Sequence, residues 1–320
     1  MNLRKKLYQM FILGTSGGGC EEALSNNLGG VIFFSNDIQS TEQFRELILG
    51  YKKMAKITPF LSIDQEGGRV ERSENIHNGK KYLSAKFAFQ NGIEFLKKQT
   101  EAISKELVSF GINLNFAPCV DVNTNPKNPI IGERAFSSDV DEVLVGGEIV
   151  SSIYRKNGII PCAKHFPGHG DASVDSHLAL PKIDLSLDEM ERFHIKPFEK
   201  LAETIEMIMV AHLHCTCFEA EKIPTSLSKN AIDYLRNKLK FEGVIVSDDM
   251  IMQGVKDFGD VEACEMAIRA GVNLFIYRNS SPETIDIIEQ IYMKAVDDFD
   301  LRDCIDKSFE KIISLKNRIK

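Results

Sequence analysis

Short apolar runs alternate with amphipathic segments along nearly the whole chain of 320 residues. Each run, such as Gly30–Phe34, is followed by polar or Gly-rich residues and then by a segment with helical spacing. This alternation is typical of a parallel α/β fold, in which helices cover a buried sheet. The predicted strands are Tyr8–Leu13, Gly30–Phe34, Pro59–Ile63, Leu114–Val120, Ile159–Ala163, Met207–Ala211, Val244–Ser247 and Asn273–Tyr277.

The segments between these strands place apolar residues three and four positions apart. Ile93–Phe110 is the clearest, because Leu96, Ile103 and Leu107 lie on one stripe of an otherwise charged segment. Four glycines, Gly111, Gly158, Gly243 and Gly271, are expected to end helices. The predicted helices are Thr41–Met54, Ile93–Phe110, Val140–Tyr154, Leu187–Leu201, Lys229–Lys240, Val261–Ala270 and Thr284–Val296.

Eight parallel strands can close into a barrel, and α/β barrels of roughly 250 residues or more often form one domain. The sequence contains no Pro-rich or Ser-rich linker and no low-complexity block. We therefore predict a single-domain (β/α)8 TIM-type barrel over residues 1–320, with Arg302–Ile319 as a C-terminal covering helix. An open, doubly wound sheet is the structural alternative.

The net charge of the chain excludes one class of binding partner. A formal net charge of −7 and a pI near 5.6 argue against nucleic acid, whose phosphates require a basic surface.

The seven cysteines are scattered and mostly lie in apolar runs, which indicates reduced core residues of a cytosolic protein. Leu7–Leu13 is at the short limit for a signal-peptide core, and no run approaches the ~20 apolar residues of a membrane span. We expect a cytoplasmic protein without a membrane partner.

The stretch Ala163–Leu180 contains more titratable chemistry than an ordinary connection needs. It follows a predicted strand and holds three histidines, two aspartates and a lysine. Asp175 and His177 are two residues apart, so the carboxylate can orient the imidazole and stabilise its protonated form. We interpret the stretch as an active-site loop in which His177 transfers protons.

Ionisable residues also follow the other predicted strands. Asp64, Asp121, His212 and the pair Asp248-Asp249 stand at strand ends, and barrel enzymes gather their catalytic groups on that rim. Asp248 is the candidate nucleophile. Taken singly, such residues have ordinary explanations: a carboxylate can cap a helix, and Arg134 in a loop can be a solvated surface residue.

A metal site is an alternative use of the histidines. His212 and His214 would lie on one face of a strand, as paired metal ligands often do. Lys164 beside His165 would repel a cation, so hydrogen bonding is the favoured interpretation. We predict no metal and no other cofactor.

Several motifs together resemble the family 3 glycoside hydrolases, and among them the bacterial β-N-acetylglucosaminidases (β-hexosaminidases) of peptidoglycan recycling. The motifs are KHFPGHG followed by DSH, with DQEGGRVER upstream and GVIVSDDM downstream. The similarity runs from about Gly30 to Gly271 and implies a (β/α)8-type barrel. The chain departs from the family pattern in its N-terminal portion, over Ser73–Phe89 and at Asn36-Asp37, where Arg-Asn is common.

The resemblance also implies roles for single residues. Asp248 matches the nucleophile that forms a covalent glycosyl-enzyme, and His177 matches the general acid/base, with Asp175 as its partner. The residues that match those holding the N-acetylhexosamine at the non-reducing end are Asp64, Arg72, Arg134, Lys164 and His165.

The resulting expectation is a monomeric, retaining exo-β-N-acetylglucosaminidase that releases terminal N-acetylglucosamine from peptidoglycan fragments, the GlcNAc-anhydro-muropeptides. Phosphorolysis is an alternative, because a histidine acid/base does not repel phosphate as a carboxylate would. A β-glucosidase on the same scaffold and a metal-dependent hydrolase are further alternatives. A non-catalytic sugar-binding protein is the alternative outside enzymes.

Overall fold

Eight parallel strands form a closed barrel in the computed structural model, which describes residues 1–174 and 180–318. The predicted (β/α)8 barrel is confirmed, and the open sheet is wrong. In order around the barrel, the strands are β1 (Phe11–Gly14), β2 (Gly30–Phe33), β3 (Phe60–Ile63), β4 (Leu114–Asn115), β5 (Ile160–Phe166), β7 (Met207–Val210), β9 (Val244–Asp249) and β10 (Leu274–Tyr277).

Two further strands, β6 (Lys182–Ile183) and β8 (His214–Cys215), pair with each other outside the barrel. Within the barrel, β10 returns to pair with β1, for example at Phe11 opposite Phe275, and this pairing completes the ring. Strands β1, β2 and β3 are buried along their whole length, as expected for a parallel sheet that side chains fill on one face and helices cover on the other.

Helices connect the strands, and polar caps set where several of them begin. Ser40 accepts a hydrogen bond from the Gln43 amide at 3.1 Å, and Gly111 ends its helix with a φ of +93°. The α-helices are α1 (Leu3–Tyr8), α2 (Cys20–Ser25), α3 (Thr41–Met54), α4 (Ala85–Gln90), α5 (Ile93–Phe110), α6 (Val140–Lys156), α7 (Leu187–Glu189), α8 (Lys196–Leu201), α9 (Lys229–Asp233), α10 (Gln253–Lys256), α11 (Asp260–Ala270), α12 (Pro282–Asp297) and α13 (Phe299–Lys316).

All eight predicted strands differ from the structure by at least one residue in their bounds, and for two of them the physical cause is clear. Tyr8 lies in α1 rather than in β1, because Asn2 caps a helix by accepting from the Lys5 amide at 3.0 Å. The predicted strand Leu114–Val120 keeps only its first two residues in β4. The Ala117 amide turns back to the Asn115 carbonyl at 2.8 Å, and Pro118 has no amide hydrogen to donate.

Two predicted helices are interrupted. A π-helical turn at Met190–His194 separates α7 from α8, just before Pro197, and another at Tyr234–Lys238 follows α9. At the first of these turns, Pro197 has no amide hydrogen to donate, and the wider turn accommodates it. Gly243 does not end a helix, since the helical segment before it ends at Lys238. It permits a close approach of two backbones instead, because a Cβ there would lie 2.5 Å from the Glu206 carbonyl oxygen.

The C-terminal helix α13 lies against α1, α11 and α12 and reaches the amino-terminal end of the barrel. It begins three residues before the predicted covering helix Arg302–Ile319, and Ile319 lies outside the described residues. Near its end, Lys316 is buried at the base of the barrel, where its Nζ donates to Gln9 Oε1 and the Gly29 carbonyl. Across residues 1–174 and 180–318, no helix is both long and apolar enough to cross a bilayer.

Candidate active site

A cavity of about 560 Å³ opens at the carboxyl ends of the barrel strands. This is the end at which barrel enzymes place their catalytic groups. Six of the residues singled out in the sequence line this one cavity, although they come from segments up to 184 positions apart. They are Asp64, Arg72, Arg134, Lys164, His165 and Asp248.

Lys164 carries a buried ammonium group at one side of the cavity. It lies on β5, and its Nζ is 2.7 Å from Asp64 Oδ1 and 2.6 Å from Glu66 Oε1. Burial lowers the pKa of Lys164, but the two carboxylates raise it more, so the net pKa lies above the ordinary value. Lys164 is therefore a fixed positive charge at neutral pH.

Glu66 also forms an ion pair with Arg134 through both of its carboxylate oxygens. Arg134 Nε is 2.9 Å from Glu66 Oε2, and its Nη2 is 2.9 Å from Oε1, which is the two-pronged geometry of a strong guanidinium–carboxylate pair. Burial raises the pKa of Glu66, but Arg134 and Lys164 lower it more, so this carboxylate stays ionised well below its usual range. One carboxylate thus holds two cations beside the cavity.

Arg134 connects this pair to His165 and Asp121. Arg134 Nη2 lies 3.2 Å from His165 Nε2, and His165 Nδ1 lies 2.7 Å from Asp121 Oδ2. Asp121 also accepts from the His169 amide at 2.6 Å. Burial raises the pKa of Asp121, but His165 and His169 lower it more. Asp64, Glu66, Arg134, Lys164, His165 and Asp121 form a continuous set of contacts, called here the mouth network.

Arg72 completes this side of the cavity from the loop after β3. Its Nη2 is 3.9 Å from Asp64 Oδ2, and its guanidinium lies over the Phe34 ring, 5.5 Å from the ring centre. Its backbone amide donates to Gln65 Oε1 at 2.8 Å. The loop DQEGGRVER is thereby folded back on itself, which turns both Asp64 and Arg72 toward the cavity.

Asp248 lies across the barrel from the mouth network, near the end of β9. Its Oδ1 accepts from the Asp249 amide at 2.8 Å. Burial raises the pKa of Asp248, but His165, His212, this amide and Lys164 lower it more, so the pKa is below the ordinary value. An ionised carboxylate that faces a cavity can act as a nucleophile.

The histidines divide between the cavity and the framework. His212 Nε2 lies 3.1 Å from the Asp249 carbonyl oxygen, so it donates there, and Nδ1 then accepts from Ser226 Oγ at 2.7 Å. His214 Nε2 similarly meets the Glu219 carbonyl at 3.0 Å. His169 lines the cavity, and burial together with His165 lowers its pKa to about 4. The rings of His212 and His214 therefore bind different backbone groups rather than a shared centre.

One cluster has the spacing of a metal site: the possible ligand atoms of Cys119, Asp121 and His165 lie within 4.8 Å of one another. Their contacts are those of hydrogen bonding, since Cys119 Sγ donates to Asp121 Oδ2 at 3.2 Å and His165 meets the same oxygen. Burial and Asp121 hold the pKa of Cys119 well above its ordinary value. One carboxylate oxygen of Asp121 is therefore shared between the Cys119 thiol and the His165 ring.

Asp175 and His177, the predicted acid/base pair, lie outside the described residues. The chain leading to them is held in place by a loop after β4. Asn128 Nδ2 donates to the carbonyls of His169 and Gly170 at 2.8 and 3.1 Å. Gly170 allows this segment to approach the loop after β4, because a Cβ at position 170 would lie 1.7 Å from the Val122 carbonyl oxygen.

Glu66, Asp121 and Arg278 are among the charged residues in or beside the cavity that the sequence does not predict as site residues. Glu66 belongs to a motif that was recognised, Asp121 was noticed only as a strand-end residue, and Arg278 was not considered. For Glu66 and Asp121 the available signal was a carboxylate within a few residues of a strand end. Arg278 follows Tyr277, the last residue of β10, but an arginine at this place is not distinguished from a solvated loop residue in the sequence.

The sequence and fold match known proteins along most of the chain. The model of the glycosyl hydrolase family 3 N-terminal domain matches residues 2–315. The chain belongs to glycosyl hydrolase family 3. Among family relatives, Beta-hexosaminidase A of Pseudoalteromonas piscicida is 32% identical over 322 residues, and Beta-hexosaminidase of Haemophilus influenzae is 31% identical over 279 residues.

These alignments cover 92% and 84% of this family 3 chain and 54% and 78% of the respective relatives. A solved family 3 β-N-acetylglucosaminidase from a Paenibacillus species superposes with a TM-score of 0.90 at 29% identity. That match covers 99% of this chain and 62% of the other. The chain thus spans little more than half the length of two of these family 3 proteins.

Proposed function

We propose that this family 3 chain is a retaining exo-β-N-acetylglucosaminidase, which removes terminal non-reducing N-acetylglucosamine. The observation that carries the proposal is the placement of an ionised Asp248 across one cavity from the mouth network. A pocket with buried, paired donors and acceptors on one side suits a polyhydroxylated, uncharged sugar ring. The names of the Pseudoalteromonas, Haemophilus and Paenibacillus proteins support the N-acetylhexosamine specificity.

In the proposed reaction, Asp248 attacks the anomeric carbon while the bond to the leaving oxygen breaks. His177 gives its proton to that oxygen, and Asp175 stabilises the imidazolium beforehand. The neutral His177 then takes a proton from water, and the water oxygen displaces Asp248 from the sugar. Two displacements at one carbon return the original β configuration, and the enzyme regains its starting protonation.

The sugar ring is proposed to lie against Asp64, Arg72, Arg134, Lys164 and His165. Lys164 and Arg134 are already positioned by Glu66, so the cavity needs little rearrangement to bind the ring hydroxyls. Groups that are fixed before the substrate arrives do not lose conformational freedom when it binds. This supports roles for these five residues in holding the terminal sugar.

The direct test is a comparison of aryl N-acetyl-β-glucosaminide with the matching aryl β-glucoside, with NMR detection of the first sugar anomer released. We expect turnover of the N-acetyl substrate, with β product formed first. Equal or faster turnover of the glucoside would identify a β-glucosidase, and α product first would contradict retention. No turnover of either, with retained sugar binding, would favour a sugar-binding protein.

Two additions to this assay separate the remaining alternatives. Inorganic phosphate should leave the product as free sugar, whereas formation of a sugar phosphate would identify a phosphorylase. A chelator should leave the rate unchanged. A rate that falls with chelator and returns with added metal would contradict the proposed mechanism.

The proposed acid role of His177 has its own signature. His177→Ala should slow cleavage of a disaccharide far more than cleavage of a dinitrophenyl N-acetylglucosaminide, because the latter leaving group scarcely needs a proton. We expect a difference of about 100-fold or more between the two losses. A matched control is His77→Ala, at an ion pair remote from the cavity, which should affect both substrates equally. Equal losses for His177→Ala would contradict the acid role.

The natural substrates are proposed to be peptidoglycan fragments, the GlcNAc-anhydro-muropeptides, acted on in the cytoplasm by a monomer. The resemblance of the KHFPGHG and DSH motifs supports this assignment. Incubation of the purified protein with such fragments should release N-acetylglucosamine and leave the peptide-bearing product. Size-exclusion chromatography with light scattering measures the mass, which should match 36.0 kDa.

A further inference from the structure

Asn128 lies between two loops that carry groups of the proposed reaction. It belongs to the loop after β4, which leads on to Arg134, and it contacts the loop after β5, which leads on to Asp175 and His177. Asn128 is buried and does not line the cavity. It can therefore influence the reaction only through the groups that it binds.

The carboxamide of Asn128 holds both loops at once. Its Nδ2 donates to the carbonyl oxygens of His169 and Gly170, at 2.8 and 3.1 Å. Its Oδ1 accepts from the amides of Ile130 and Ile131, at 2.9 and 2.8 Å. These four contacts use both donors and both acceptor positions of the side chain, so its burial leaves neither polar atom without a partner. One side chain thus joins the start of one loop to the middle of the other.

On the side of β4, the backbone that Asn128 holds leads directly to the arginine of the mouth network. The Ile131 carbonyl accepts from the Arg134 amide at 2.9 Å, which closes a turn. From this turn, Arg134 Nη2 lies 3.2 Å from His165 Nε2, and its Nε lies 2.9 Å from Glu66 Oε2. The hydrogen bond from the Ile131 amide to Asn128 therefore sets where Arg134 enters the network.

On the side of β5, His169 is held at both of its backbone polar groups. Asn128 binds its carbonyl, and Asp121 Oδ1 accepts from its amide at 2.6 Å. The next residue, Gly170, lies against the loop after β4, and its carbonyl also accepts from the Asn125 amide at 3.2 Å. These contacts fix the start of the loop after β5 relative to the mouth network.

Together the contacts form a closed ring, so each member is held from two sides. In order, the ring passes through Asn128, Ile131, Arg134, His165, Asp121 and His169. It joins the proposed sugar-binding groups to the start of the loop that leads to the proposed acid/base. Loss of the Asn128 contacts would allow the two loops to move relative to each other.

We propose that Asn128 is a positioning residue for proton transfer, because it places the start of the loop after β5 relative to the bound sugar. This inference rests on the proposed function and adds to it a residue that touches neither the substrate nor the proton. A general acid must lie within hydrogen-bond reach of the oxygen that it protonates. A displacement of about 1 Å can lower the rate of such a step by about 100-fold.

Asn128→Asp breaks one side of the ring with almost no change of shape. One carboxylate oxygen still accepts from the Ile130 and Ile131 amides, but the other faces two carbonyl oxygens in place of an NH2 group. We expect kcat/KM to fall about 100-fold for a disaccharide with terminal N-acetylglucosamine, and about threefold or less for dinitrophenyl N-acetylglucosaminide. The losses differ because the dinitrophenyl leaving group scarcely needs a proton.

Asn128→Ala is the second variant, because it places no charge at this buried position. It should show the same unequal losses, together with a smaller loss on both substrates from the released Ile130 and Ile131 amides. Circular dichroism at the assay temperature measures whether each variant is folded. Equal losses on both substrates in the folded variants, or no loss on either, would overturn the proposal.

Asn157→Ala is the matched control, because it also removes two hydrogen bonds of an asparagine side chain. Asn157 Nδ2 donates to Glu101 Oε2 at 3.0 Å and to the Ile153 carbonyl at 3.1 Å, at the end of α6, and it does not line the cavity. Its kcat/KM values for the two substrates should keep the wild-type ratio.

A double variant tests whether Asn128 acts through His177. In the His177→Ala background, Asn128→Asp should lower kcat/KM for the disaccharide by about threefold or less, because the group that it positions is already absent. A further loss of about 100-fold would show that Asn128 acts by another route and would contradict the proposal.

The single variant His177→Ala keeps the two proposals apart. If it loses activity on both substrates equally, the proposed acid role fails and this inference fails with it. If it shows unequal losses and the two Asn128 variants do not, only the Asn128 proposal fails.

Discussion

Lys164 and Lys316 are both buried lysines at opposite ends of one barrel, and their surroundings have opposite electrostatic effects. At the mouth, two carboxylates hold the Lys164 ammonium and its pKa lies above the ordinary value. At the base, the partners of Lys316 Nζ among the described residues are the neutral oxygens of Gln9 and Gly29, at 2.8 and 2.6 Å, and the Phe60 ring. Burial lowers the pKa of Lys316 to about 7.

This difference in electrostatic surroundings indicates a different role for each end of the barrel. Carboxylates around Lys164 offset the desolvation of its charge and leave a site that is charged, rigid and open to a ligand. Within residues 1–174 and 180–318, no carboxylate offsets the desolvation of Lys316, which instead joins α13 to the backbone between α2 and β2. We infer that the mouth carries function and that the base carries only stability.

The largest expected effect is a loss of catalysis without a loss of stability, caused by a substitution at the mouth of the barrel. Asp248→Asn should lower kcat on aryl N-acetyl-β-glucosaminide by at least about 10³-fold, because the amide cannot attack the anomeric carbon. The thermal unfolding midpoint should stay within a few degrees of wild type. The exposed Asp257→Asn is the matched control and should retain full activity. Near-normal turnover by Asp248→Asn would remove it as the nucleophile.

Glu66→Gln should break the mouth network and show that its charges are mutually dependent. The substitution leaves Arg134 and part of Lys164 without a counter-ion in a buried place, which should cost roughly 3 kcal/mol of unfolding free energy. Urea unfolding measures the loss. Glu94→Gln, at a surface pair with Lys97, should produce no measurable change. A similar midpoint for both variants would show that the network contributes little to stability.

The same network should make the protein sensitive to acid. Glu66 and Asp121 have pKa values below their ordinary range in the folded state, so the stability they contribute is present above about pH 4 and is lost as pH falls further. Unfolding free energies measured from pH 6 to pH 3 should fall less steeply for Glu66→Gln than for wild type. Parallel curves would contradict this origin of the acid loss.

Lys316, at the base of the barrel, should change the stability of the protein at alkaline rather than acidic pH. With a folded pKa of about 7, below the ordinary value, Lys316 binds fewer protons folded than unfolded, so its burial costs most below pH 7 and the cost disappears toward pH 10. Wild-type stability relative to Lys316→Met should therefore rise by about 3 kcal/mol from pH 7 to pH 10. Lys311→Met, at the surface of the same helix, should follow wild type. A pH-independent difference would contradict a buried, ionisable Lys316.

The sequence predicted the barrel and most of the site because both depend on local patterns. Apolar runs ending in Asp64, Lys164 or Asp248 identify strand ends, and strand ends of a parallel barrel meet at one rim. Pairings across the rim are not local. Glu66 contacts Lys164 and Arg134 only because β3, β4 and β5 are neighbours with a particular register, and a sequence does not specify register.

Other features lacked any distinguishing pattern. In the sequence Arg278 resembles a solvated loop arginine, and its ion pair with Asp249 is visible only in the structure. Helical spacing also continues through the π-helical turns at Met190–His194 and Tyr234–Lys238, so periodicity alone predicts unbroken helices. In the sequence, Lys316 cannot be distinguished from an exposed lysine near the end of an amphipathic helix, but the structure buries it at the base of the barrel.

The most direct measurement is mass spectrometry of the protein after reaction with a fluorinated N-acetylglucosaminyl fluoride, whose covalent intermediate is hydrolysed slowly. We expect the intact mass to rise by one fluorinated sugar and the modified peptide to contain Asp248, with no label on Asp248→Asn. Turnover of the reagent without any covalent label, or a label on a peptide that lacks Asp248, would contradict an attack by this carboxylate.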